Sequence, residues 1–93
     1  MSILKPISVK SQHGGTQALY RFPNGYGASV VQHSFSYGGD QGLWELGVLV
    51  WEGEQYGLTY STPITDDVLG HLGEGDVAEV LQRIAALPER SAS

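Results

Sequence analysis

The sequence predicts an α+β fold: an antiparallel β-sheet of about five strands in meander order, with one short and one longer C-terminal helix packed on one face. Three observations predict it. Ten of the thirteen glycines precede Ile64, where they read as turn punctuation between short strands. Through residues 43–61 apolar side chains recur at every second position, the period of a strand. Val77, Val80, Leu81, Ile84 and Leu87 then fall at i, i+3, i+4, i+7 and i+10, the buried stripe of a helix.

The strands are expected near 3–9, 16–22, 26–35, 43–51 and 55–61. Pro23-Asn24-Gly25 joins the second and third, because Asn-Gly accepts the positive φ of tight hairpin turns. In the last hairpin Trp44, Leu46, Val48 and Val50 share one face, and Tyr56, Leu58 and Tyr60 share one face of the return strand. Placing both sets on one buried side needs an odd-numbered loop, either 52–54 or 51–55. Leu49 and Trp51 then lie on the other face, either covered by a further element or open to a partner. Thr65 reads as an N-cap, with Asp66 and Asp67 in a first turn where the helix dipole favours negative charge. Val68, Leu69 and Leu72 would give that short helix its apolar side. The longer helix opens near Asp76 and stops before Pro88. One domain over 1–88 and a short disordered tail at 89–93 are expected.

The chain is 93 residues long, with 41% hydrophobic and 16% charged residues, a composition that supports a packed core. It has no cysteine, hence no disulfide, no thiolate zinc site and no cysteine nucleophile. Its longest apolar run, 46–51, is far shorter than the ~20 residues of a membrane-spanning helix. The first six residues, Met-Ser-Ile-Leu-Lys-Pro, do not form a secretory signal. Together these features lead to an expected cytoplasmic location.

Charge is distributed unevenly. No lysine or arginine occurs between Phe22 and Gln82, while nine carboxylates do: Asp40, Glu45, Glu52, Glu54, Asp66, Asp67, Glu74, Asp76 and Glu79. The net charge is −5. Such a field disfavours nucleic acid and anionic lipid and speeds association with a basic protein surface. The plainer reading is that these acids only keep the protein soluble.

Nothing in the sequence calls for a cofactor. His13, His33 and His71 share no ligand spacing, and surface histidines are the commoner outcome. The loop Tyr37-Gly38-Gly39-Asp40-Gln41-Gly42 runs from strand to strand without a nearby cation, unlike a phosphate cradle that opens onto a helix. No serine sits in G-x-S-x-G. Adjacent Asp66 and Asp67 would diverge on a helix, and capping accounts for them.

The run Tyr20-Arg21-Phe22-Pro23-Asn24-Gly25-Tyr26-Gly27-Ala28-Ser29-Val30-Val31 is continued by Ser36-Tyr37-Gly38-Gly39, Gly42-Leu43-Trp44-Glu45-Leu46 and Leu58-Thr59-Tyr60. With Thr62-Pro63-Ile64-Thr65-Asp66-Asp67-Val68-Leu69-Gly70, this pattern resembles small proteins encoded by actinobacteriophages and their hosts. The likeness spans roughly 20–88 and carries over no catalytic residue. It implies a phage-type accessory protein in a bacterial cytoplasm. By analogy such a protein binds a host or defence protein, as anti-CRISPR inhibitors do.

The leading expectation is therefore a non-enzymatic protein that docks an acidic, aromatic-bearing surface on a basic partner. Asp40, Glu45, Glu52 and Glu54 would steer, Trp51 would anchor from an exposed position, and Leu49 would lie beside it. One alternative is an assembly protein that forms a homo-oligomer through Leu49 and Trp51 on the sheet's second face. The other is an enzyme or small-ligand protein using His33, Asp40 and His71.

Overall fold

A computed structural model describes residues 5–12, 15–32, 42–60, 62–64 and 68–89. Five strands form an antiparallel meander: β1 (Ser8–Gln12), β2 (Gly15–Arg21), β3 (Tyr26–Gln32), β4 (Trp44–Glu52) and β5 (Gln55–Leu58). Among the described residues a sixth strand, β6 (Leu69–Leu72), also pairs with β4, and one helix, α1 (Glu74–Ala85), follows. The far edge of β4 is thus shared. Its C-terminal half pairs with β5 through Leu49↔Leu58 to Glu52↔Gln55, and its N-terminal half pairs with β6.

Directly opposed residues share a face, so the register sorts the side chains. Ala18, Val30 and Leu46 lie in one row across β2, β3 and β4, with Tyr20, Ala28 and Val48 in the next. This inner face receives α1 through Val77, Val80, Leu81 and Ile84, all buried in one cluster with these strand residues. The predicted helical stripe is present. The helix begins at Glu74, and the Asp76 carboxylate accepts a hydrogen bond from the N-cap Gly73 N–H at 3.0 Å, satisfying one of the donors exposed at a helix start.

The second predicted helix is not found: Leu69–Leu72 is a strand. Its apolar spacing misleads for a physical reason. Trp44 opposes Leu72 and Leu46 opposes Leu69, so β6 uses one residue more than β4 over the same span. His71, with φ of 58°, lies within that span. A bulge of this kind lets side chains three apart face the same side, and Leu69 and Leu72 both pack against the inner core. Thr65, Asp66 and Asp67, the expected cap, lie outside the described residues.

Two strand boundaries also differ. The first strand runs from Ser8 to Gln12 rather than over 3–9, because its ladder with β2 continues through Lys10↔Gln17 to Gln12↔Gly15. It is an edge strand with polar alternation, which reads weakly as β. β5 ends at Leu58, although the Thr59 N–H still donates to the Val48 carbonyl at 2.9 Å.

The β2–β3 turn has a second role. Gly25, with φ of 89°, takes the positive dihedral, and Gly25 N–H closes onto the Phe22 carbonyl at 3.1 Å. This leaves the Asn24 side chain to reach the end of α1. Its amide Nδ2 donates to the carbonyls of Ile84, Ala85 and Leu87 at 2.9, 3.3 and 3.1 Å, and its Oδ1 accepts from the Tyr26 N–H at 3.0 Å. Asn24 is buried and satisfies carbonyls that a helix end otherwise leaves without partners. Asn24→Ala should therefore destabilise the fold by about 1–3 kcal/mol. Chemical denaturation checks this, and an unchanged midpoint would show that water replaces the amide without loss.

Candidate functional site

The outer face of the sheet, opposite α1, carries a second and smaller buried cluster of Leu19, Leu49 and Trp51. Trp51 was expected to be exposed, yet it is only 8% accessible, and Leu49 only 1%. Four neighbours enclose the indole. Its Nε1–H donates to the Tyr20 carbonyl at 3.0 Å, and the Arg21 guanidinium lies 4.9 Å from the ring centroid, within the range of cation–π attraction. The Tyr56 ring packs at 4.8 Å between centroids. Beneath it is Gly27, where an added Cβ would lie 2.5 Å from Nε1. The indole fills the space that this missing side chain leaves.

The hairpin explains why the expectation fails. Glu52 pairs with Gln55, so the loop is the two-residue Gly53-Glu54 and not an odd-numbered one. Gly53 takes φ of 63°, while Glu54 is not in the positive region. This is the sign pattern of a type II′ turn, which places glycine first and matches the twist of paired strands. An even loop puts Tyr56 opposite Trp51 and Leu58 opposite Leu49. Both side chains therefore stand on the outer face, not in the main core with Leu46 and Val48. Tyr56 and Leu58 remain 44% and 51% exposed, and Tyr60 is 49% exposed. Leu58 lies across Gly47, where a Cβ would come 2.6 Å from its Cδ2.

The five predicted site residues among those described, Glu45, Leu49, Trp51, Glu52 and Glu54, do not form one patch. Leu49 and Trp51 are enclosed within a single chain, which removes Trp51 as an exposed anchor and both residues as an oligomer seam. Glu45 is half-buried opposite Val31 on the outer face, whereas Glu52, on the inner-face side at the other end of β4, is exposed. Glu54 is exposed in the turn. Asp40 lies outside the described residues, as do His13 and His33. The hairpin carries Tyr56 and Leu58 on its outer face, with Glu54 exposed in the turn, Glu52 beside it on the inner-face side and Tyr60 following in the chain. Alternation alone predicts a buried position for Tyr56, Leu58 and Tyr60. The signal that places them is Gly53, which marks the even-numbered turn.

Among the described residues no three His, Asp or Glu side chains are grouped to hold a metal ion, and His71 is exposed in β6. Burial raises the Tyr20 phenol above its ordinary pKa by desolvation, but that ring stacks on Phe22 at 6.3 Å and belongs to the inner core. A shallow groove of about 320 Å³ is lined by Val50, Glu52, Gln55, Tyr56, Gly57 and Leu58, so the hairpin is also where the surface is indented. No helix among the described residues is long and apolar enough to cross a membrane. No protein-family model, curated protein or solved structure matches the chain.

Proposed function

We propose that this chain is a non-enzymatic binding protein that engages a basic surface of a partner protein with its β4–β5 hairpin. Tyr56, Leu58 and Tyr60 supply the contact area, and Glu52 and Glu54 supply the charge that speeds encounter. One observation carries this reading: three large apolar side chains, each about half exposed, follow a doubly acidic turn. Trp51 and Leu49 support this surface from below, holding Tyr56 and Leu58 in place, in the role of framework and not of anchor. The cellular setting proposed is the one the sequence resemblance implies: a bacterial cytoplasm, a phage-type accessory role, and a partner among host or defence proteins.

The test compares capture of partners from bacterial lysate by wild type, by Tyr56→Ala/Leu58→Ala, and by Glu52→Gln/Glu54→Gln. Loss of the apolar pair should reduce capture at every salt concentration. Loss of the charges should slow capture at low salt and have little effect at high salt, where screening already removes their field. A partner captured equally by all three proteins would sink the assignment.

A further inference from the structure

We infer that two copies of this chain join edge to edge through β5, in a two-fold antiparallel pairing centred on Gly57. The inference stands apart from the identity of any other partner, because it concerns the backbone edge and leaves the outer face open.

It begins with the phase of the ladder. Thr59 N–H donates to the Val48 carbonyl, and the register pairs Gly57 with Val50 and Gln55 with Glu52. Backbone groups alternate in direction along a strand, and in a two-residue hairpin the loop-flanking pair is hydrogen-bonded. Gln55, Gly57 and Thr59 therefore turn their N–H and C=O groups toward β4. Tyr56 and Leu58 turn theirs outward, toward an edge with which no strand pairs among the described residues.

That edge is self-complementary in one register. With Gly57 opposite its own copy, Tyr56 meets Leu58 of the second copy, and Leu58 meets its Tyr56. All four outward groups of the strand on each side are then satisfied. Moving the axis to Tyr56 pairs Leu58 with the turn residue Glu54, and moving it to Leu58 pairs Tyr56 with Tyr60, which lies beyond the strand. Only the Gly57 axis keeps every bond within β5. It also places the Tyr56 ring of each copy beside Leu58 of the other on the outer face, where directly opposed side chains are close enough to touch. Gly57 faces Gly57 on the other side, with open space above each.

Charge does not oppose this pairing. The two Glu54 residues are six positions apart along the paired strands, about 20 Å, well beyond the ~8 Å screening length at physiological salt. The two edges of the sheet also differ. β1 carries Lys10 and is preceded by Lys5 and Pro6, the residues that blunt an edge against pairing, whereas β5 contains neither cation nor proline.

The absence of native cysteine makes the register directly testable. In the proposed dimer the two Gly57 residues form a non-hydrogen-bonded pair with Cα atoms about 4.5 Å apart, inside the range a disulfide spans. The two Gln55 residues are four positions apart, about 14 Å, and cannot be bridged. Wild type should sediment at twice the chain mass at tens of micromolar, with little dependence on salt. Under mild oxidation most Gly57→Cys chains should cross-link and few Gln55→Cys chains should. Leu58→Pro removes an outward N–H and takes no bond from β4, so it should sediment as a monomer with an unchanged far-ultraviolet spectrum. A monomeric wild type, or equal cross-linking of the two cysteine variants, would overturn the proposal whatever the proline variant does. Neither result would touch the reading of the outer face as a partner surface.

Discussion

Replacing Trp51 with alanine is expected to lower the unfolding free energy by about 3–5 kcal/mol, the range for truncating a large buried aromatic. The indole is the largest member of the outer cluster, and three different interactions hold it: the bond to the Tyr20 carbonyl, the Arg21 guanidinium above it and the Tyr56 ring beside it. Truncation removes all three and uncovers Leu49. It also leaves Tyr56 without its support, so the partner capture proposed for the hairpin should fall as well. Gly27→Ala approaches the same contact from below, since its methyl would collide with the indole and with the Tyr20 carbonyl. That overpacking should be worth about 1–3 kcal/mol. Denaturant midpoints measure both variants. A Trp51→Ala protein as stable as wild type would mean that the outer face collapses over the cavity.

The second large effect belongs to the inner face. Leu46→Ala and Ile84→Ala should each destabilise by about 2–5 kcal/mol, since both side chains are fully buried in the cluster that joins sheet and helix. The slope of the denaturant transition should be unchanged, because the surface exposed on unfolding hardly alters. If Leu46→Ala reached this range while Ile84→Ala stayed near zero, the helix would contribute little to holding the sheet.

The sequence was most legible where one structure alone explains a pattern. The stripe from Val77 to Ile84 allows only a helix with a buried side, and it was read correctly. The strands of the central meander were likewise placed to within a residue or two at most ends. Two expectations fail, each for its own physical reason. Around Leu69 and Leu72 a bulge at His71 imitates helical spacing. In the last hairpin the parity of the loop decides which face Tyr56 and Leu58 occupy, and alternation alone carries no information on parity. Gly53 did carry it, through the turn type that a glycine in the first loop position favours. The assumption of one buried face hid that signal. The acidic bias was legible as composition, but its division between the two ends and two faces of β4 depends on register.

The Asn24 side chain bonds to a carbonyl sixty residues further along the chain, and this bears on the order in which the molecule assembles. The turn that carries it closes locally, within the β2–β3 hairpin, and so can form early. Its target, the end of α1, comes within reach only when the helix docks on the sheet. Contacts of such separation form late, because chain closure must precede them. The final turn of α1 should then gain amide-exchange protection together with β4, not ahead of it, even though helices commonly form faster than sheets. In Asn24→Ala that synchrony should be lost, with the amides of Ala86 and Leu87 exchanging by local fraying while those of β4 still wait for global opening.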